Sequence, residues 1–140
     1  MPSRVDSLLA EMPAKESGIL PRSTVDRLRQ MEPDLPEGEE IRFIAFHGFP
    51  FGVAAITSSR LIIVLNDGGT KITPYSEVSS FALVEGKKKL LGGYSQTMLM
   101  TRFRNQNESH TGYLGHDGQW GIRAGRELLA AQERYSVRNI

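Results

Sequence analysis

The sequence predicts an α+β, mainly β fold: about seven short antiparallel strands in a barrel or sandwich, capped by a C-terminal helix and preceded by a short helical extension. Three observations carry this. Val53–Leu65 reads V-A-A-I-T-S-S-R-L-I-I-V-L, two β-branched apolar runs flanking four polar residues, each too short for an ordinary helix. Further short runs of the same kind follow as far as Leu114, with no helical pattern between them. The period then changes: Trp120, Ala124, Leu128, Ala131 and Tyr135 recur at i, i+4, i+8, i+11 and i+15.

Taken in order, Ser3 is placed to cap a helix whose apolar face is Val5, Leu8, Leu9 and Met12, which Pro13 stops. Lys15-Glu16-Ser17-Gly18 reads as a loop, and a second helix runs from Ser23 or Thr24 to Met31. Residues 1–38 carry five basic and seven acidic side chains, and the remaining 102 carry twelve and nine. With P-D-L-P-E-G-E-E, this shift marks a boundary, giving a helical extension over 1–34, a β-rich domain over 35–136 and a tail over 137–140. Strands are expected from Glu39, over the two halves of the central hairpin, at Lys71–Thr73, Val78–Val84, Tyr94–Arg104 and Ser109–Leu114. Asp67-Gly68-Gly69 supplies a tight turn, and Asp117 a helix cap. Leu61–Leu65 is apolar on both faces, so it needs cover on each side, from a barrel interior or a packed helix. Gly121 and Gly125 would let the last helix lie close to a strand.

Composition narrows the function classes. At 140 residues the chain can bury a real core, and 39% hydrophobic with 24% charged residues is ordinary for a globular protein. A net charge of +1 gives no general pull toward nucleic acid or anionic membrane. Cysteine is absent, so disulfides, thiolate ligands and a cysteine nucleophile are excluded. No apolar run reaches membrane-spanning length and no signal-peptide core opens the chain, so a cytoplasmic protein is expected.

Leu35–Ile41 (L-P-E-G-E-E-I), Ala55–Val64 (A-I-T-S-S-R-L-I-I-V), Pro74–Val78 (P-Y-S-E-V) and Leu90–Gly93 (L-L-G-G) resemble bacterial pleckstrin-homology-like domains, the YokE-like PH branch related in shape to GRAM domains. The resemblance covers about residues 35–136, with the Thr57-x-x-Arg60-Leu61 corner its most specific part. It implies a non-enzymatic scaffold that binds a protein partner, a further copy of itself or a lipid headgroup. Lipid-binding members usually carry cations in the loop between strands one and two. Here that loop is H-G-F-P-F-G, which argues against phosphoinositide binding at the usual place.

Phe49 and Phe51 in that loop are the candidate partner contacts, since exposed rings give large contact area at little entropic cost; folded inward, they would close a barrel end. Val5, Leu8 and Leu9 join them if the N-terminal helix docks on a partner instead of its own domain. Lys87, Lys88 and Lys89 form the single basic run: either an anion or lipid site, placing the protein at the inner membrane surface, or a solvated hairpin tip. His47, His110 and His116 match no common zinc spacing and read as turn and cap residues. Met98 and Met100 read as core. The long strand does not interleave aromatic with basic residues, so nucleic acid is not an expected partner. No catalytic residue, metal or cofactor is assigned, and a small hydrolase or metal-dependent enzyme stands as the last alternative.

Overall fold

The two apolar runs at the centre of the sequence pair with each other, and their need for cover on both faces dictates how the rest of the chain is arranged. A computed structural model describes residues 3–48, 51–85, 97–105, 108–116 and 118–138. Its strands are β1 (Ile41–Gly48), β2 (Gly52–Thr57), β3 (Arg60–Leu65), β4 (Thr70–Pro74), β5 (Val78–Glu85), β6 (Thr97–Phe103) and β7 (Glu108–Leu114). Its helices are α1 (Arg4–Glu11), α2 (Ala14–Ser17), α3 (Arg22–Met31) and α4 (Gly118–Arg138). The strands form one antiparallel sheet in the order β4-β3-β2-β1-β7-β6-β5. The sheet curls without closing, so β4 and β5 are its edges and the body is a half-barrel.

In the hairpin, Ile56 faces Leu61 and Val53 faces Val64. Leu61, Ile62, Ile63 and Val64 are all buried. One face of the sheet packs on α4, where Phe43 of β1 stacks on Trp120 with ring centroids 4.6 Å apart. The N-terminal helices supply further cover, α1 packing on β1 and α3 on β2 and β3. Val5, Leu8, Val25 and Leu28 are buried as part of the same core. Of the two arrangements expected for the N-terminal helix, this is the one in which Val5 and Leu8 cover the chain's own strands.

Local chemistry fixes the arm. The Ser3 side chain accepts from the Asp6 N–H and caps α1, while the Glu32 carboxylate accepts from the Arg4 and Val5 N–H groups at 2.9 and 3.2 Å. Arg27 on α3 donates to the Gly68 carbonyl at 2.6 Å and to the Leu65 carbonyl, tying that helix to the β3–β4 turn. Gly68 sits at φ +106°, as a tight turn after Asp67 requires.

The stretch expected to be a loop, Lys15–Gly18, mostly forms the one-turn α2, and Glu16 on it is fully buried. Its carboxylate enters the cleft where β1 parts from β7. Among the described residues those strands share the pairs His47–Leu114 and Gly48–Tyr113. Beyond that seam, the open edge of β1 is satisfied by groups from elsewhere. Glu16 Oε2 accepts from the Phe46 N–H at 2.6 Å, and Glu16 Oε1 from the His116 N–H at 2.7 Å. The Gly115 N–H donates to the Phe46 carbonyl at 2.7 Å, and Trp120 Nε1–H to the Ile44 carbonyl at 2.9 Å. Buried backbone groups need such partners.

At Gly125, α4 crosses β5 so closely that a Cβ there would lie 2.2 Å from a Leu83 methyl carbon. Gly125→Val should therefore lower stability by about 1–3 kcal/mol through overpacking, measured by denaturant unfolding. Glu16→Ala should cost about 3 kcal/mol, because the buried Phe46 N–H and the part-buried His116 N–H lose a charged acceptor, and Glu16→Gln should cost less. Wild-type stability in Glu16→Ala would contradict this role.

Candidate functional site

Three of the four motifs behind the family resemblance meet at one corner of the sheet. Thr57, the last residue of β2, turns its hydroxyl into the hairpin, where it accepts from the Ser59 and Arg60 N–H groups at 3.2 and 3.0 Å. Glu39, just before β1, accepts from Arg60 Nε–H at 2.9 Å and lies 3.2 Å from the Thr57 hydroxyl. Tyr75, in the 3₁₀ turn Tyr75–Glu77, donates its hydroxyl to the Thr57 carbonyl at 2.8 Å, and its N–H bonds to the Ser59 carbonyl. Burial pushes the Tyr75 hydroxyl far above the usual phenol range, and the charge of Glu39 adds to the shift while Arg42 opposes it. The Glu39 side chain is only 4% exposed. These residues join β1, the β2–β3 hairpin and the β4–β5 connection, so the motif does a structural job.

A groove among the described residues lies elsewhere. It has a volume of about 690 Å³ between α2 and the start of α4, lined by Pro13, Ala14, Lys15, Gln119, Trp120 and Arg123. Arg123 lies over two rings, its guanidinium carbon 5.0 Å from the Trp120 centroid and 5.3 Å from that of Phe43. At these distances the ring faces attract the cation. Sequence reading took α4 as an apolar stripe and passed over Arg123. The signal was present, since Trp120 and Arg123 are three residues apart and share a helical face.

The residues singled out from sequence are dispersed. Phe51 is 51% exposed at the β1–β2 turn, with its ring centroid 5.9 Å from that of Phe46. Phe49 lies outside the described residues, as do Lys87, Lys88 and Lys89 and the cap position Asp117. Leu9 is half-buried and lines a smaller groove of about 430 Å³ with Leu20, Val25, Arg22 and Arg29. His47 is buried, and a Cβ on Gly112 would sit 2.7 Å from its ring. His116 is exposed, with its backbone held by Glu16. The His110 side chain falls outside the described set. Met98 and Met100 are half-buried, whereas Leu99 and Thr101 between and beside them take the core positions. Among the described residues no group of three or more His, Asp or Glu side chains could hold a metal, and no helix is long and apolar enough to cross a membrane.

Because the folded chain holds the Tyr75 proton more tightly than the unfolded chain, the stabilisation is complete below about pH 10 and declines as pH rises beyond it. Tyr75→Phe should cost about 1 kcal/mol at neutral pH and flatten that alkaline decline, as read from unfolding curves on either side of the phenol range. An unchanged alkaline slope would contradict the buried-hydroxyl account. Comparison of the chain with protein-family models, with curated proteins and with solved structures gives no match.

Proposed function

We propose that this chain is a non-enzymatic, pleckstrin-homology-like interaction module that accepts a β-strand from a protein partner, in the first place a second copy of itself. The family part of this reading is supported by the strand order, the helix packed on the curled sheet and the Glu39–Thr57–Arg60–Tyr75 corner built from the matching motifs. Fold kinship alone does not specify an activity.

The observation that carries the binding mode is the contrast between the two sheet edges. β4 is five residues long, holds Lys71 and ends on Pro74, both ordinary protections against pairing with another chain. β5 is eight residues long, V-S-S-F-A-L-V-E, with no Lys, Arg or Pro. It pairs with β6 along one side, and among the described residues no strand pairs with the other. Ala82 is exposed and Val84 is 48% exposed. An unpaired edge of this length gives affinity through main-chain hydrogen bonds, and two copies meeting antiparallel would form a two-fold dimer. Phe51 is retained as a further partner contact on the strength of its exposed ring.

Light scattering on the purified full chain across a concentration series tests this. A dimer or larger species is expected, and Ala82→Lys with Val84→Lys should convert it to monomer without loss of folded secondary structure. A wild-type monomer at every concentration, or an oligomer that the double variant leaves intact, would contradict self-association through β5.

A further inference from the structure

We propose that Met98 and Met100 form a redox-sensitive modification site, at which oxidation of the two thioethers to sulfoxides by a peroxide releases the strand that the β5 edge accepts. The inference rests on the strand-addition reading and gives that interaction a means of regulation.

The two faces of the β5–β6 pair are unlike. Phe81, Leu99 and Thr101 are buried, and Leu83, paired with Leu99, lies against Gly125, so this is the face beneath α4. Side chains alternate along a strand, which puts Ala82 and Val84 of β5 with Met98 and Met100 of β6 on the opposite face. There Ala82 and Val84 are exposed and both methionines are half-buried. Met100 is in register with Ala82 and Met98 with Val84, and cross-strand neighbours of this kind have Cβ atoms about 5 Å apart. A methionine side chain is long and flexible enough to span a strand spacing of about 4.8 Å. The small Ala82 leaves the Met100 thioether room over the edge strand, so a strand added to β5 would bury these sulfurs together with Ala82 and Val84.

The oxidation balances at each sulfur. The thioether lone pair takes one oxygen of the peroxide, the O–O bond breaks, and the displaced hydroxide leaves as water with the proton of the transferred oxygen. Sulfur loses two electrons and the peroxide gains them. A docking strand must then strip water from a polar S=O group whose cross-strand neighbours, Ala82 and Val84, offer no side-chain donor. By contrast, Met12 is buried and Met31 packs against the core.

The purified full chain would be treated with hydrogen peroxide, its sulfoxides located by peptide mass spectrometry and its self-association followed by light scattering across a concentration series. Sulfoxide is expected at Met98 and Met100 before Met12, with the dissociation constant of the oligomer rising about tenfold or more and circular dichroism unchanged. Methionine sulfoxide reductases should restore the original value. Met98→Leu with Met100→Leu keeps the face apolar and should stay associated under the same peroxide. Oxidation of Met12 ahead of both residues, or an oligomer that survives their full conversion, would overturn this inference and leave strand addition standing. So would a double variant that dissociates as the wild type does, or dissociation with loss of folded secondary structure. A chain that is monomeric at every concentration before peroxide is added would overturn the strand-addition reading and this inference with it.

Discussion

The open side of β1 is the constraint on which this architecture depends. A curled sheet whose central strands share two residue pairs among the described residues and then part leaves N–H and C=O groups of β1 in the buried interior, and each must find a partner. Here the partners come from three parts of the chain. Glu16 arrives from the N-terminal arm, Gly115 from the end of β7, and the Trp120 indole from the C-terminal helix. The result joins the arm, the half-barrel and α4 into one hydrogen-bonded unit at the place where the sheet would otherwise come apart. A charged acceptor suits the position, because a carboxylate serves two donors at once and makes stronger bonds than a neutral group.

Much of this arrangement was legible in the residues, and the reasons differ by element. The β2–β3 hairpin was readable because its two runs are β-branched and short, and because a strand apolar on both faces demands two covers. That part of this cover comes from residues 1–34 was one of two arrangements open for the N-terminal helix, the other being docking on a partner. The composition shift near Pro36 marks where the helical extension gives way to the β-rich part, and Val5, Leu8, Val25 and Leu28 of that extension belong to the common core. Glu16 was unreadable for a physical reason: K-E-S-G has the local chemistry of a solvated turn, and a carboxylate is buried only when tertiary structure brings donors to it. The same holds for Arg123, whose meaning depends on Phe43, eighty residues earlier, arriving beneath it.

The separation of structural from interactive residues follows from this packing. Residues that looked distinctive as motifs, Glu39, Thr57, Arg60 and Tyr75, are engaged with one another and explain the shape of the corner. The surfaces left for a partner are less conspicuous in sequence. They are a plain strand edge at β5 and a half-exposed ring at Phe51.

The central claim is that the arm's carboxylate replaces a strand partner along β1. Amide hydrogen exchange at Phe46 tests it most directly, since among the described residues that N–H pairs with no β7 residue and donates to Glu16. The account predicts that the Phe46 amide exchanges as slowly as its neighbours inside the β1–β2 ladder, and that Glu16→Ala speeds its exchange far more than theirs. Exchange at the rate of an open amide in the native chain would contradict it.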